Sequence, residues 1–376
     1  MLAVLNELAR HDPHLQAYFV TDSKFGGQAA AIMQQSSVPV TVKQIQAGKL
    51  RRYHKVSWLR QLFDIPTLAK NIRDLFYSFV GLLQSLYLLM RVKPDVVFTK
   101  GGFVCVPLGL AAKLLGVPLV IHDSDAHPGL ANRILSRWAL LIATGSPLEH
   151  YPYPKDKSHY VGIPVSADFV PVDQKKQQQL KADLGFHDLK KPLVVVTGGG
   201  LGARTINRAV ASIAPQLLKR AAILHITGTG TYDEVARRAT EDIDYHIVPF
   251  VSTSMAATMG AADVVVTRAG ATAMQELAAL AKPVIMVPNP YLTGGHQLKN
   301  ASIYQEAHAA LTVDEQELKA NPLVLKRAVL RLLDDADERH KLGQALSAFA
   351  KPDAAIDMAA LIVQAATQHQ KREHTV

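Results

Sequence analysis

Cysteine is almost absent: Cys105 is the only one in 376 residues, so no internal disulfide is available. Flanked by Val104 and Val106, it suits a small core side chain in a reducing compartment better than a nucleophile. No Pro/Gly-rich or repetitive tract occurs, which excludes fibrous and low-complexity classes. Long hydrophobic runs are also missing. The apolar run from Phe79 to Met90 has 12 residues, short of the ~20 that a membrane-spanning helix needs. No signal peptide is expected, because Met1 leads at once into LAVLNELAR, apolar at positions 2, 4, 5 and 8 in a helical period. Two nucleotide signatures are lacking as well: no Gly-Lys-Ser/Thr closes a Walker A loop, and no G-x-G-x-x-G is found.

What is present is bulk and basic charge. The chain is 48% hydrophobic, the composition of a soluble α/β protein, and its length exceeds one ordinary core, so two domains are expected. The net charge of +9 is uneven, since residues 1–160 hold 18 Lys/Arg against 10 Asp/Glu. Lys49, Arg51, Arg52, Lys55 and Arg60 gather around Tyr53 and Trp58, just before the apolar run. Basic residues interleaved with aromatics suit anionic lipid or nucleic acid, and the plain alternative is a solvated loop beside a core helix. No nucleic-acid module pattern accompanies them, which ranks an anionic membrane surface ahead and leaves no nucleic acid among the expected partners.

Strand and helix signals alternate in both halves. In the first, HLQAYFVT and VPVTVKQI read as strands, a long helix ends near Met90, and strands PDVVFT, VPLVIH, ALLIATG and HYVGIPV follow with helices between the first three. Gly162-Ile163-Pro164 is the linker candidate, and the charged helix DQKKQQQLKADLG lies beyond it. The second half restarts with LVVVT, GGGLGA, a helix, AAILHIT, HIVPFV, DVVVT and PVIMVP. This order argues for two doubly wound parallel sheets, with ligands at the carboxyl ends of the strands. From Asn321 to Gln370 the apolar positions are too many for a tail.

The stretch from Asp263 to Ala301 is the most informative. DVVVT reads as a buried strand, RAGA as a turn, TAMQELAALA as a helix and PVIMVP as the next strand. Gly270 lets the backbone approach a ligand, and the helix N–H groups after it face a phosphate or a sugar. Glu276 follows one turn in. Thr272 and Gln275 also fit a capping box, a reading that needs no ligand. Gln297 and Asn300, three apart on a helix, add two amides, which suits a nucleotide sugar.

GGGLGARTIN (Gly198 to Asn207) follows a strand and opens a helix, so its amides can cradle a diphosphate or simply form a packing turn. The following strand ends in Thr227-Gly228, where a nicotinamide dehydrogenase shows Asp or Glu for the ribose. KGGFVCVPLGLAA repeats the glycine pattern in the first half at Gly101 and Gly102. Beside it, HDSDAHPGLAN places His122, Asp123, Asp125 and His127 on one loop, open to metal binding, to general-base work or to a hydrogen-bonded loop. With no distant partner evident, metal is the least economical of the three.

With these segments in hand, the chain resembles the MurG family of inverting glycosyltransferases, glycosyltransferase family 28, over almost its whole length. The resemblance rests on GGFVCVPLGLAAKLLGVPLVIHDSDAHPGLANR, on GGGLGAR and VGIPV, and on RAGATAMQELAALAKPVIMVPNP with HQLKNA. It implies the GT-B fold, an α/β architecture of two doubly wound, Rossmann-like parallel-sheet domains facing a cleft. It implies transfer of N-acetylglucosamine from UDP-N-acetylglucosamine to an undecaprenyl-diphosphate-linked muramyl peptide, in peptidoglycan synthesis. The implied place is peripheral, on the cytoplasmic face of the membrane, with no cofactor and no metal.

Residue by residue, the resemblance makes Ala271, Thr272, Ala273, Met274, Gln275 and Glu276 the donor segment, with Glu276 accepting from ribose hydroxyls. It makes Gln297 the donor-sugar amide, gives the Val251 backbone to uracil, and sets Gly200 near the phosphates where the family has serine. Asp125 stands where asparagine is usual and Ser166 where arginine is, so helix dipoles and backbone amides are left to stabilise the departing UDP. His122 and Asp123 are the candidates in this sequence for taking the acceptor's proton. The family's opening strand and glycine loop, of the kind GGTGGH, hold a stronger candidate; MLAVLNELA looks like the helix that follows that loop. The expected domains are 1–162, for acceptor and membrane; 163–345, for the UDP-sugar donor; and 346–376, a last helix packing back on the first domain. Two alternatives stay open: another GT-B enzyme, such as a glycolipid transferase or a nucleotide-sugar epimerase, and a UDP-sugar binder without turnover.

Overall fold

Alternating apolar runs become two separate units, Met1–Ser166 with Pro352–Val376, and Ala167–Lys351. The computed structural model describes residues 1–23, 25–48, 65–199, 202–251, 254–291 and 295–373. The basic cluster from Lys49 to Arg60 and the phosphate-loop residue Gly200 therefore lie outside the described residues.

In the first unit the chain runs α1 (Leu2–His11), β1 (Ala17–Thr21), α2 (Gly26–Met33), β2 (Val40–Gln44), α3 (Ile65–Val92), β3 (Val97–Thr99), α4 (Cys105–Leu114), β4 (Leu119–Asp123), α5 (Leu130–Leu135), β5 (Leu141–Thr144) and β6 (Ser158–Tyr160). All its strand pairs are parallel. They form two sheets, β1-β2 and β3-β4-β5-β6, where one doubly wound sheet was expected. The reason is topological: among the described residues no strand bonds to both β1 and β3. Residues alternate across the larger sheet as the strand period requires. Leu119, Ile121 and Ile142 face Leu108 and Ala111 of α4 and Leu135 of α5.

In the second unit follow α6 (Gln174–Asp183), β7 (Leu193–Thr197), α7 (Arg204–Leu217), β8 (Ala222–Ile226), α8 (Tyr232–Ala236), β9 (Tyr245–Val248), α9 (Met255–Ala261), β10 (Val264–Thr267), α10 (Ala271–Ala279), β11 (Val284–Met286), α11 (His296–Glu306), β12 (Leu311–Thr312), α12 (Glu315–Ala320), α13 (Leu323–Asp334) and α14 (Ala336–Ser347). The last helix, α15 (Ala354–Glu373), belongs to the first unit, where Met358, Leu361 and Ile362 cover Val120, Leu141 and Ala143 together with Val4 of α1.

The second sheet has six parallel strands in the order β12-β11-β10-β7-β8-β9. LVVVT, VVVT and VIM are buried throughout, as strands covered on both faces must be. Ile206, Val210, Ile213 and Leu217 of α7 close one face, each such side chain contributing ~1.5–3 kcal/mol by burial. After β9 the chain crosses back to pair β10 with β7. That crossover is the switch point where ligands bind in doubly wound sheets.

Candidate functional site

Both glycine turns of the second unit lie at this switch point, after β7 and after β10. Gly202 has φ +73°, and a Cβ on it would fall 2.1 Å from the Thr227 carbonyl oxygen. The close approach brings the phosphate-loop candidate against the end of β8. Gly202→Ala is accordingly expected to cost at least ~1 kcal/mol, because alanine is strained at positive φ and the obstacle is backbone. Thermal denaturation would show it, and an unchanged melting temperature would mean that the loop yields.

A buried chain of side chains fixes the same turn. Asn207, in the first turns of α7, donates through Nδ2 to Thr227 O (2.8 Å) and Thr231 Oγ1 (2.9 Å). Its Oδ1 accepts from His225 Nε2 at 3.1 Å, and Tyr245 donates its hydroxyl to His225 Nδ1 at 3.0 Å. Burial pulls His225 down to about 4, so the ring is neutral and this tautomer uses both nitrogens. The sequence reading missed this network; its one signal is a histidine inside the apolar strand AILHI.

The helices entering the switch point have no side-chain caps. α7 starts from Ala203 and α10 from Gly270, neither with a side-chain hydrogen bond; α8, α11 and α13 are likewise uncapped, whereas α6, α9, α12 and α14 are capped by Asp173, Ser254, Asp314 and Asp335. Thr272 is exposed inside α10 and is not its N-cap, so the capping box does not form. In α10 the first helical bond is Met274 N–H to Gly270 O. The three N–H groups before it, at Ala271, Thr272 and Ala273, precede that ladder and aim out of the helix end. Met274 and Gln275 turn into the core, while Ala273 and Glu276 are half-buried.

Gln297 lies in the first turn of α11, half-buried, its Oε1 accepting from Asn289 N–H at 2.8 Å. That bond fixes the side chain and leaves its amide as a donor group. Asn300 instead is 4% exposed and donates to Ala269 O at 3.2 Å, so it braces the turn and does not add a second ligand amide. Val251, just beyond β9, is half-buried.

In the first unit the candidates sit at the ends of β3 and β4. His122 is fully buried, its Nε2 donating to Gly162 O at 2.8 Å and its Nδ1 accepting from Ser124 Oγ at 3.1 Å. Burial, helped by the Lys100 charge, pulls it down to about 3. With both nitrogens engaged, His122 has no lone pair for a substrate proton, and its place is to tie the linker glycine to β4. Asp123 differs. Its Oδ2 accepts from the Tyr153 hydroxyl at 2.8 Å, and burial pushes the carboxyl up to about 6, with the Asp125 charge adding to the shift. Tyr151 stacks on Tyr153 at 5.6 Å and donates to Asp125 O at 2.7 Å. Neither tyrosine is signalled by the sequence, since YPYP lies far along the chain from HDSD. Asp125 is half-buried and Ser166 exposed. Among the described residues no three His, Cys, Asp or Glu side chains converge as a metal site.

Models of two domains match this chain: the glycosyltransferase family 28 N-terminal domain over residues 1–144 and the C-terminal domain over residues 193–358. The chain belongs to glycosyltransferase family 28. It is 33% identical over 301 residues, 79% of either chain, to the UDP-N-acetylglucosamine--N-acetylmuramyl-(pentapeptide) pyrophosphoryl-undecaprenol N-acetylglucosamine transferase 2 of Bacillus cereus. To the transferase of the same description from Exiguobacterium sp. it is 31% identical over 367 residues, covering 96% of this chain and 95% of the relative. Among solved structures, Acinetobacter baumannii MurG superposes with a TM-score of 0.68 at 23% identity, covering 96% of this chain and 94% of that one. A UDP-GlcNAc 2-epimerase from Neisseria meningitidis, bound to UDP-GlcNAc, gives 0.59 at 13% identity over 93% and 99%. At such identities the structures speak for the fold, and with the two domain matches they make this family 28 chain a GT-B protein.

Proposed function

We propose that this protein transfers N-acetylglucosamine from UDP-N-acetylglucosamine to an undecaprenyl-diphosphate-linked muramyl peptide, with inversion. The observation that carries the reading is the 31% identity with the Exiguobacterium transferase over an alignment spanning 96% of the chain, both units included. An acceptor hydroxyl attacks the anomeric carbon in line; the new C–O bond forms as the bond to the diphosphate breaks, and UDP leaves with the electron pair. The uncapped ends of α7 and α10 face the growing negative charge with backbone N–H groups and positive dipole ends. Glu276 accepts from the ribose, Gln297 donates to the sugar, and Asp123 takes the acceptor's proton. Calorimetry with UDP-N-acetylglucosamine, run beside radiolabel transfer to the lipid-linked acceptor, tests this. Binding without transfer would make the protein a non-catalytic binder, and no affinity for UDP would sink the reading.

The first unit carries the membrane part of the proposal. Ile72, Phe76, Phe79, Leu83, Tyr87 and Met90 stand exposed along one face of α3. The opposite face holds Asp74, Gly81, Ser85 and Leu89, and a Cβ on Gly81 would fall 1.8 Å from Gln46 O. Asn71–Val92 has 22 residues, and with an 18-residue stretch of mean hydropathy 1.4 within it, it is long and apolar enough to cross a bilayer. One face pressed against its own protein suits a helix lying on the membrane better than one spanning it. The Lys49 to Arg60 cluster, preceding α3 in sequence, adds attraction to anionic lipid on the cytoplasmic face, ~1 kcal/mol per charge near the surface. Phe76→Ser/Phe79→Ser/Leu83→Ser is expected to weaken binding to anionic vesicles by roughly tenfold or more. Replacing Lys49, Arg51, Arg52 and Lys55 with serine should weaken it mainly at low salt. Co-sedimentation unchanged in both variants would remove the membrane role.

A further inference from the structure

Arg268 directly follows the strand that leads into the donor turn, yet its side chain does not reach outward. It is 9% exposed, donating through one guanidinium nitrogen to Val287 O at 2.9 Å and through another to Glu315 Oε1 at 2.7 Å. Val287 follows β11, and Glu315, 2% exposed, is the first residue of α12. One side chain thus ties three consecutive strand-end segments: the β10–α10 turn, the exit of β11 and the entry to α12. Val287 N–H also donates to Thr267 O at 2.8 Å, and Asn300 braces Ala269 O from α11. The two segments so fixed are the ones that carry Gly270 with the open end of α10, and the loop leading to Gln297.

Stability is a poor explanation for this pair. A buried guanidinium and carboxylate lose their hydration, and replacing both by apolar residues is often neutral or stabilising, whereas removing one strongly destabilises. Helix capping does not require Glu315 either, because Asp314 already caps α12 by accepting from Gln316 and Glu317 N–H groups. The second oxygen of Glu315 has no hydrogen-bond partner among the described residues, so the carboxylate is incompletely satisfied. What a rigid, forked, two-acceptor contact supplies is geometry.

We propose that Arg268, acting with Glu315, is a positioning residue of the donor site, holding the Gly270 turn and the end of α10 in the arrangement that receives the UDP diphosphate and ribose. The inference rests on the donor-site reading given under Proposed function. Its test uses the full chain, as Arg268→Met/Glu315→Leu and, separately, Arg268→Lys. UDP affinity is read by calorimetry, donor KM and kcat by transfer assay, and Gly270–Ala273 amide exchange by mass spectrometry without ligand.

The double variant is expected to melt within a few degrees of wild type, while its UDP Kd and donor KM rise about tenfold, ~1.4 kcal/mol. Its kcat should stay within about threefold, and exchange at the turn should quicken. Arg268→Lys keeps the charge but loses the fork, so an intermediate rise in KM, about threefold, is expected. A purely structural pair would lower the active fraction, and with it kcat, at unchanged KM. Unchanged UDP affinity and exchange in the double variant overturn the proposal; should that variant not fold, the same result in Arg268→Lys overturns it. Wild-type protein that fails to bind UDP would sink the donor-site reading instead, and the exchange data would still decide whether the pair orders the turn.

Discussion

Glu276→Ala is expected to lose ~100-fold in kcat/KM for UDP-N-acetylglucosamine, with the loss almost entirely in KM. The carboxylate is half-buried on α10, on a different face from Met274 and Leu277, which are in the core. Each charge-assisted hydrogen bond is worth ~1.5–3 kcal/mol, so a carboxylate accepting from two ribose hydroxyls supports two decades of affinity. The ribose lies away from the bond that breaks. Its contacts are equally strong in ground and transition states, and losing such uniform binding raises KM while sparing kcat. Glu276→Gln keeps the shape and one acceptor oxygen and should cost about tenfold. If Glu276 served only helix electrostatics, alanine would remove at most ~1 kcal/mol of stability and leave KM alone. Donor saturation curves for the two variants, read beside their melting temperatures, separate the cases. Values of kcat/KM within threefold of wild type in both would end the ribose assignment.

The donor half was legible because its strands are buried on both faces. LVVVT, VVVT and VIM need no partner to be recognised as parallel strands, and the first two hand their glycine turns to the correct sheet end. The phase of the following helix was not legible. Thr272 and Gln275 read as a capping box only if Thr272 is the N-cap, yet the turn from β10 makes Gly270 the N-cap and places Met274 and Gln275 inward. Asn300 reads as a ligand amide by its three-residue spacing from Gln297, but its partner is a carbonyl 31 residues upstream. The helix α2 escaped because a glycine pair at its start hides its period. In β4, continuous burial removes the alternation that tells inward from outward, so His122 and Asp123 read as equivalent acid–base candidates. Their contacts with Gly162 and Tyr153, 40 and 30 residues away, are what separate them.

That separation leads to opposite effects on stability and turnover when Asp123 is replaced by asparagine. Burial raises its carboxyl from the ordinary 3.8 to about 6. Between those values the folded protein holds a proton that the unfolded chain has released, so stability falls as pH rises from about 4 to about 6. Above that, the penalty is constant at ~3 kcal/mol. Asparagine keeps an acceptor for Tyr153 and carries no charge to desolvate. Asp123→Asn should therefore be more stable than wild type at pH 7 and nearly equal to it at pH 4, as judged by urea midpoints. Turnover should move the other way. A group titrating near 6 is ionised at pH 7 and close to the value at which a general base works best, and losing it should lower kcat by ~10²–10⁴. The wild-type rate should climb with pH through about 6, and the variant's should not. A variant with wild-type kcat would hand the proton to another group, with the half-buried Asp125 next in line. A variant no more stable at pH 7 would mean that the carboxylate is better solvated than its 4% exposure implies. Gaining stability while losing rate is the signature of a charge kept in an unfavourable place for chemistry, and a purely structural aspartate would not show it.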